Sequence, residues 1–408
     1  MNPIANGSVT TPAGFTATGV SCNIKQSGNP DLAVILSSTP ATIAAAFTIN
    51  KIVAAPVVLG RELIARQSTA QAILVNSGNA NACTGQQGIV DATAMADYAA
   101  AALDIAATDV LVSSTGLIGE PLPMDKVLAG IDAAVAGLTD DGGEAAATAI
   151  MTTDTVPKSI AVSFDLDGIR ISIGGTAKGA GMIAPHMVTA APHATMLAYL
   201  TTDADVEASF LRTCLGRAVQ VSFNAITIDG DMSTNDTVAI LANGLAGNPG
   251  IVDGSVAADQ FQAAVTHICT ELAKMIVRDG EGATRFVELT VTGAANENEA
   301  RQCAGAIANS ALCKTAWFGG DPNWGRILAT AGRAGVQINP SGVMLRFGDL
   351  TVLDGGTPQP QNRAALAAAV DKPEIDIVLD LGVGDAKATV WTCDLTYDYI
   401  KINAEYHT

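Results

Sequence analysis

Short apolar runs separated by polar, glycine-rich breaks dominate the first 241 residues of the chain. Runs of this length, bounded by Gly, Asn, Asp or Pro, are typical of buried strands. They predict strands at residues 32–36, 44–48, 54–59, 72–75, 110–112, 159–164, 169–173, 196–200, 223–228 and 238–241. Residues 1–30, rich in Gly, Pro, Ser and Thr, are expected to lie over the surface.

Apolar residues at helical spacing mark a second set of elements, and the clearest of them spans residues 261–277. The spacing predicts helices at residues 88–103, 125–136, 144–151, 205–219, 261–277 and 297–309. Four more strands are predicted at residues 285–292, 342–347, 375–381 and 388–393. Because strands and helices alternate along the whole chain, the fold class is α/β or α+β with mixed sheets.

The charge balance narrows the range of partners. Lys and Arg number 22 against 40 Asp and Glu, which gives a net charge of −18. Such a chain is a poor match for nucleic acid or for an anionic membrane surface. An acidic substrate would therefore need a local concentration of positive charge. No apolar run approaches the roughly 18 residues of a membrane helix, and no signal peptide is recognisable.

The seven cysteines are scattered and contain no C-x-x-C pair, which favours free thiols in a reducing cytoplasm. The four histidines show no metal-ligand spacing, so no metal is expected. Neither a dinucleotide-binding glycine pattern nor a Walker A sequence is present.

The stretch with the most distinctive composition is KGAGMIAPHMVTAAPHATMLAYLTTD, from Lys178 to Asp203. Glycines, prolines and histidines lead into an apolar run that begins at Met196. A flexible approach to a buried strand would hold the Thr195 hydroxyl against the carbonyl of the preceding residue, Ala194. The simpler interpretation is that Thr195 is a β-branched residue at the start of a strand.

KGAGMIAP followed by ATMLAYLTTDA resembles the self-cleavage segment of the ornithine acetyltransferase (glutamate N-acetyltransferase) family. In that family the Ala-Thr bond is cut autocatalytically, and the new N-terminal threonine is the nucleophile. The resemblance places the cleavage site at Ala194 and Thr195, because the sequence after Thr195 matches better than the sequence after Thr189. The chain departs from the family at residues 188–193, where extra residues lengthen the approach.

Other segments that resemble the family are spread over the whole chain: NSGNANACTG, SSTGLIGEPLPMDK, AIMTTDTVPK, AKGAGM, NAITIDGDMSTNDT, DGEGATRF, GGDPNWGR and INAEYHT. The resemblance implies that Thr115 and Gly116 form an oxyanion hole. It also implies that substrate is bound by Thr152, Lys178, Thr195, Glu281, Asn403 and Thr408.

Elementary chemistry is consistent with these roles. A threonine hydroxyl is a weak nucleophile, and the α-amine freed by cleavage, with an ordinary pKa of roughly 7.7–8.0, would serve as its base. Lys178 would attract a substrate carboxylate. Taken without the resemblance, Lys178 reads as a surface lysine, Glu281 as a carboxylate at a helix end, and residues 113–119 as an ordinary loop after a strand.

The resemblance implies an acyltransferase of arginine biosynthesis that moves acetyl from N-acetylornithine to glutamate through an acetyl-Thr195 ester. Some members also use acetyl-CoA as donor, and no other cofactor is expected. Two alternatives are an aminopeptidase or amidohydrolase of the related N-terminal-nucleophile fold, and an uncleaved relative that only binds ligand.

For the architecture, the resemblance implies a layered α/β/β/α core over residues 1–284 and a smaller C-terminal α/β domain over residues 285–408. Cleavage would give fragments 1–194 and 195–408. Two copies of each are expected to assemble as α2β2.

Overall fold

The computed structural model describes residues 1–188, 196–360 and 363–405. They form two compact units. The first comprises Met1–Asn224 and Met232–Ile276, and the second comprises Ala225–Asp231 and residues 277–405. The sequence-based boundary at residue 284 differs from this division, in which residues 225–231 also belong to the second unit.

Sixteen strands are present in the described residues. They are β1 (Asn2–Ile4), β2 (Phe15–Val20), β3 (Leu32–Thr48), β4 (Thr69–Asn79), β5 (Val110–Leu117), β6 (Lys158–Leu166), β7 (Ile169–Lys178), β8 (Met187–Val188), β9 (Leu197–Thr202), β10 (Thr237–Ala242), β11 (Phe286–Ala294), β12 (Met344–Phe347), β13 (Leu350–Asp354), β14 (Thr357–Pro358), β15 (Glu374–Asp380) and β16 (Ala386–Cys393).

Eleven α-helices are present in the same described ranges. They are α1 (Ala55–Arg66), α2 (Gly85–Leu103), α3 (Met124–Ala136), α4 (Gly143–Ala149), α5 (Ala208–Gln220), α6 (Val256–Arg278), α7 (Glu297–Ala308), α8 (Ala311–Phe318), α9 (Trp324–Gly332), α10 (Arg363–Val370) and α11 (Tyr397–Glu405). Side chains cap the N-termini of several of these helices. Glu207 accepts from two backbone N–H groups of α5, and Asn296 accepts from the Glu299 N–H of α7.

One ten-stranded mixed sheet organises the first unit. Its strands run in the order β1-β6-β7-β9-β10-β3-β4-β5, with β2 and β8 paired to β3. β9 lies antiparallel to β7 and parallel to β10, and every residue of β9 and β10 is buried. Strands covered on both faces read as continuous apolar runs, which is why the run after Met196 contains no polar alternation.

Within the first unit, one part of the sheet packs face to face against another part, and helices cover the two outer faces. The unit therefore has four layers, α/β/β/α. Side chains of β4 and β5 meet those of β9 and β10 in an inner core that includes Ile73, Leu111, Leu197, Tyr199 and Leu241. The opposite face of β4 and β5 packs against α2 and α3. The opposite face of β7 lies against α6, because Gly175 leaves room there for Ile268 and Leu272. The predicted α/β/β/α layering is therefore confirmed.

Two predicted strands, 32–36 and 44–48, are parts of the single strand β3. The polar residues between them are typical of a break, and the β3–β4 register does shift between Leu36 and Ala41. Pro40 lies within this irregularity, where its missing N–H costs no regular ladder bond. The strand bends at this point and continues.

Three other predictions from the pattern are wrong. Residues 54–59 begin helix α1, with Pro56 in its first turn, where a missing N–H is tolerated. Residues 223–228 contain a 3₁₀ turn, Phe223–Ala225, and no regular strand. Residues 1–30 are not simply draped over the surface, because β1 and β2 pair with β6 and β3. The remaining strands and helices lie near their predicted positions.

The second unit is built on a six-stranded sheet in the order β14-β13-β12-β15-β11-β16. Alternate residues of β11, Val287, Leu289 and Val291, pack into one core with Cys303 and Ile307 of α7. This unit is the smaller C-terminal α/β domain that the fold class required. In the described residues, no helix is long and apolar enough to cross a membrane.

Candidate active site

The carboxyl end of β5 carries the two residues assigned to the oxyanion hole. Thr115 is buried, and Gly116 follows it at φ +132°, a conformation that favours glycine. A Cβ at residue 116 would overlap the Gly78 carbonyl carbon and lie 2.6 Å from the Asn79 nitrogen. Only glycine therefore allows β4 and β5 to approach this closely.

Buried amide side chains hold this backbone in place. Asn235 donates from Nδ2 to the carbonyls of Ser114 (2.7 Å) and Ala80 (2.6 Å). Asn76 accepts from the Ser114 hydroxyl at 2.6 Å and donates to the Asn79 carbonyl at 2.9 Å. The peptide on the N-terminal side of Thr115 is thus fixed from two directions, as preorganised donors require.

Lys178, the last residue of β7, brings a cation to this point. Its side chain is buried, and Nζ donates to the Thr152 hydroxyl (2.6 Å) and to the Thr115 hydroxyl (3.3 Å). Since Thr115 Oγ1 accepts from Lys178, its own proton is available to be donated elsewhere. A cation behind the hydroxyl would also strengthen its donation to a developing oxyanion.

Asp154 neutralises part of this charge. Its carboxylate accepts from Lys158 Nζ (2.8 Å), the Gly179 N–H (2.6 Å) and the Thr152 N–H (3.0 Å), and lies 3.8 Å from Lys178 Nζ. Burial alone would raise the pKa of Asp154, but Lys178, Lys158 and the Gly179 N–H outweigh it and hold the pKa well below its usual range. Asp154 therefore stays ionised and orients both lysines.

A second carboxyl, Asp236, lies within electrostatic reach of Lys178 and is fully buried. No described residue donates a hydrogen bond of ordinary geometry to either of its carboxyl oxygens. The Thr48 hydroxyl is nearby, but it donates to the Ser233 carbonyl at 2.6 Å. Burial raises the pKa of Asp236 well above its usual value, although Lys178 opposes the shift.

The second unit contains two of the predicted substrate-binding residues, and they touch. Asn403 in α11 donates from Nδ2 to a carboxylate oxygen of Glu281 at 2.8 Å. Glu281 lies in the turn after α6, and the Thr396 hydroxyl just before α11 donates to the Gly282 carbonyl at 2.7 Å. The C-terminal residues up to Glu405 are therefore helical, and these hydrogen bonds link this helix and the residue before it to the turn after α6.

Thr115, Gly116, Thr152 and Lys178 thus come together in the first unit, and Glu281 and Asn403 come together in the second. Ala194, Thr195, Thr408 and most of the extra residues 188–193 lie outside the described residues. Among the described residues, Lys178 pairs with Leu197 across β7 and β9. Thr195 is two residues before Leu197 in the sequence.

Sequence reasoning missed Asp154, Asp236 and Lys25. Asp154 lies two residues after Thr152 inside a segment that was singled out, but its contact with Lys178 depends on the β6–β7 hairpin. Asp236 lies in the segment NAITIDGDMSTNDT, which resembles the family, but the resemblance assigned it no role. Lys25 stood in the segment expected on the surface, yet it interacts electrostatically with Lys178 and Asp154.

The α/β/β/α layering of the first unit, with Lys178 and Thr115 meeting at the end of β7, defines a layered α/β/β/α protein with a buried candidate active site. The chain belongs to the ArgJ family, which it matches over residues 16–408. It is 50% identical over 406 residues to the arginine biosynthesis bifunctional protein ArgJ of Symbiobacterium thermophilum, covering 98% of this chain and 99% of that protein.

The protein of the same name from Thermosynechococcus vestitus is 46% identical over 418 residues, covering 98% of each chain. A solved structure, the arginine biosynthesis bifunctional protein ArgJ from Bacillus halodurans, is 39% identical with a TM-score of 0.50. It covers 51% of this chain and 98% of that chain. The predicted family and an acetyltransferase of arginine biosynthesis are confirmed, and the amidohydrolase and the ligand-binding relative are not favoured.

Proposed function

We propose that this acetyltransferase cuts itself between Ala194 and Thr195 and then uses Thr195 to carry acetyl from N-acetylornithine to glutamate. The observation that carries the proposal is the buried cluster of Lys178, Thr152 and Thr115. It lies at the end of β7, whose partner strand β9 begins two residues after Thr195.

Self-cleavage begins with attack of the Thr195 hydroxyl oxygen on the Ala194 carbonyl carbon. The C–N bond breaks as the acyl group moves to oxygen, and the amine takes the proton. Water then hydrolyses the ester and leaves Ala194 as a carboxylate and Thr195 with a free α-amine. The Thr115 hydroxyl and the Gly116 N–H would stabilise the oxyanion in both steps.

In transfer, the neutral α-amine of Thr195 accepts the hydroxyl proton while the oxygen attacks the acetyl carbonyl of N-acetylornithine. Ornithine leaves after its nitrogen receives that proton. The amine of glutamate next attacks the acetyl ester and regenerates the Thr195 hydroxyl. Lys178 would bind a substrate carboxylate with Thr152, and Glu281, Asn403 and Thr408 are proposed as further substrate-binding residues.

The lengths of the matched chains support cleavage into fragments 1–194 and 195–408, because the solved Bacillus halodurans chain spans about half of this one. We propose an α2β2 assembly of these fragments. Acetyl-CoA is proposed as a second donor because the relatives are named bifunctional, and no other cofactor is invoked. All seven cysteines, each in the described part of the chain, are free thiols, which supports work in the cytoplasm.

The test is the N-terminal sequence of the smaller fragment after expression. It should begin Thr-Met-Leu, and Thr195→Ala should give one uncut chain without transfer activity, because no hydroxyl oxygen is left to attack. Radiolabelled acetyl from N-acetylornithine should appear on glutamate. A fragment beginning at Thr189, or an active uncut Thr195→Ala protein, would overturn the proposal.

A further inference from the structure

Lys25 is a further lysine beside the site, in addition to Lys178 and Lys158, and none of the assigned roles uses it. It lies in the turn between β2 and β3. The carboxylate of Asp31, which is buried, accepts from the backbone N–H groups of Cys22 (2.7 Å), Ile24 (2.6 Å) and Lys25 (2.9 Å). Three bonds to one carboxylate fix the backbone from which the Lys25 side chain extends.

The stem of Lys25 runs over Gly78. A Cβ at residue 78 would lie 3.0 Å from Lys25 Cγ, so the absence of a side chain there makes room for the lysine. Gly78 pairs with Gly116 in the β4–β5 register. The Lys25 stem therefore crosses the backbone directly beside the proposed oxyanion hole.

The ammonium of Lys25 is half-buried and lies within electrostatic reach of Lys178 and Asp154. The Pro30 carbonyl accepts from Nζ at 2.7 Å, which engages one of its three N–H groups. The charged groups that act on it are Asp31 at the start of β3, Lys178 at the end of β7, and Asp154 before β6. Lys158 is paired with Asp154, and the ammonium groups of Lys25 and Lys178 thus lie within electrostatic reach of each other in a chain of net charge −18.

We propose that Lys25 selects acceptors that carry a side-chain carboxylate, by presenting its ammonium beside the Lys178 cluster. This inference rests on the proposed function, in which Lys178 holds the first carboxylate of the acceptor. Glutamate has two carboxylates, and two cations at one site match it. Glutamine has the same shape but lacks the second charge.

The same site must also accept N-acetylornithine, whose side chain ends in an ammonium group. A permanently charged lysine would repel it. Burial lowers the pKa of Lys25 to about 8, and Lys178 also lowers it, against the opposing effects of Asp31 and Asp154. Near neutral pH, Lys25 can therefore release its proton when a cationic side chain binds and keep it when a carboxylate binds.

The experiment compares glutamate with glutamine as acceptors of acetyl from N-acetylornithine, using the mature enzyme. In Lys25→Met the side chain keeps its apolar stem over Gly78 but loses the charge. The ratio of kcat/KM for glutamate to that for glutamine should fall about tenfold to a hundredfold, the range expected for a hydrogen bond to a charged group. The kcat/KM for N-acetylornithine should not fall.

Lys126→Met is the matched control. Lys126 is exposed on α3 and donates to the Asn23 carbonyl of the same turn at 2.7 Å. The Lys126→Met variant loses an ammonium that binds the same turn but has no role in the cluster around Lys178. The glutamate-to-glutamine ratio of kcat/KM should therefore stay at the wild-type value. Lys25→Arg should keep the preference for glutamate, because guanidinium also binds carboxylate.

The pH dependence separates recognition from a structural role. In wild type the glutamate-to-glutamine ratio should fall as pH rises through about 8, where Lys25 loses its charge. It should stay high in Lys25→Arg and low in Lys25→Met over the same range. Equal loss with both acceptors in Lys25→Met, or an unchanged ratio, overturns the inference. A wild-type enzyme that acetylates neither acceptor overturns the proposed function itself.

Discussion

At the scale of single residues, Asp154 is the group on which the charge of the site depends. It is buried with Lys158 and Lys178, and it joins the loop before β6 to the end of β7. Its carboxylate would cost several kcal/mol to bury alone, and so would each lysine. The three groups are stable only as a set, and Lys178 keeps its orientation toward Thr115 through that set.

Asp154→Asn should destabilise the protein by roughly 3–5 kcal/mol, because two buried ammonium groups lose their counter-charge. Urea unfolding followed by circular dichroism measures the loss. Because the pKa of Asp154 is held well below its usual value of 3.8, this stabilisation is complete at neutral pH and is lost progressively as the pH falls below that value into strong acid.

Glu62→Gln is the control for that measurement, since Glu62 and Arg66 have the same spacing as Asp154 and Lys158 but are exposed. Exposed pairs contribute about 0–1 kcal/mol, so this variant should unfold close to wild type. Equal unfolding midpoints for Asp154→Asn and wild type would contradict the assignment.

Gly116→Ala tests the close approach of β4 and β5. The new methyl group would overlap the Gly78 carbonyl, so the strands must separate and the Gly116 N–H must move. Loss of one oxyanion donor slows acyl transfer by about 10²–10³, and we expect self-cleavage to slow similarly. The measurement is the rate at which the intact chain disappears on a denaturing gel.

Gly119→Ala is the matched variant, because Gly119 also has a positive φ (+89°) but no atom lies within 4 Å of its Cβ position. The Gly119→Ala variant has the backbone strain of a positive φ, about 1–2 kcal/mol, but its new methyl group overlaps no neighbouring atom. Its maturation should proceed near the wild-type rate. If both variants mature normally, the hole does not require this geometry.

The resemblance gave the candidate residues of the site, but the sequence could not predict the contacts among them. Lys178 and Thr115 are far apart in the chain, and only the layered sheet brings Nζ to the hydroxyl at 3.3 Å. Asp154 gives no local signal of burial, because aspartate after two threonines is equally typical of a turn. Asp154 is buried and ionised because the β6–β7 hairpin brings Lys158, Lys178 and the Gly179 N–H to its carboxylate.

At the scale of elements, the spacing of apolar residues located most strands and helices. It did not show where two apolar runs belong to one continuous strand. β3 reads as two strands because the polar residues around Pro40 resemble a turn, whereas the paired strands hold it in one bent element. Residues 54–59 read as a strand because a short apolar run has no period of its own. Tertiary packing decides such segments.

The approach segment before Thr195 is where the resemblance predicts that this chain departs from its family. Deleting residues 188–193 should speed self-cleavage by less than tenfold, because doubling a flexible loop costs only about 0.6 kcal/mol of closure free energy. Steady-state turnover of the mature enzyme should not change, since the extra residues then end the first fragment. Gel densitometry and a transfer assay measure the two rates.

Replacing residues 188–193 with a Gly-Ser segment of equal length is the control for length alone. It should leave the cleavage rate within a few-fold of wild type if only closure entropy matters. A deletion variant that is fully cleaved but inactive would show that these residues contribute to the site.

At the scale of the whole molecule, the order of strands interleaves the two proposed fragments. β1, β6 and β7 belong to residues 1–194, β9 and β10 belong to residues 195–408, and β3, β4 and β5 belong again to the first. The second fragment therefore has two central strands paired on each side with strands of the first.

We expect the fragments to stay together through purification and native electrophoresis after complete cleavage. Separation should require denaturant, because it breaks two buried strand interfaces at once. Elution of either fragment alone from a size-exclusion column in native buffer would contradict this strand order.

The strand order also predicts that the uncut precursor and the cleaved protein reach the folded state by different routes. As one precursor, it inserts β9 and β10 while they are tethered to β7, so the search is intramolecular. Once cut, the same insertion needs two separate molecules to meet. Unfolded mature protein should therefore refold in a yield that depends on concentration, whereas uncut Thr195→Ala should refold independently of it. Cleavage therefore makes the folding of the single chain a step that cannot be repeated, because the cut protein can refold only by association of two fragments.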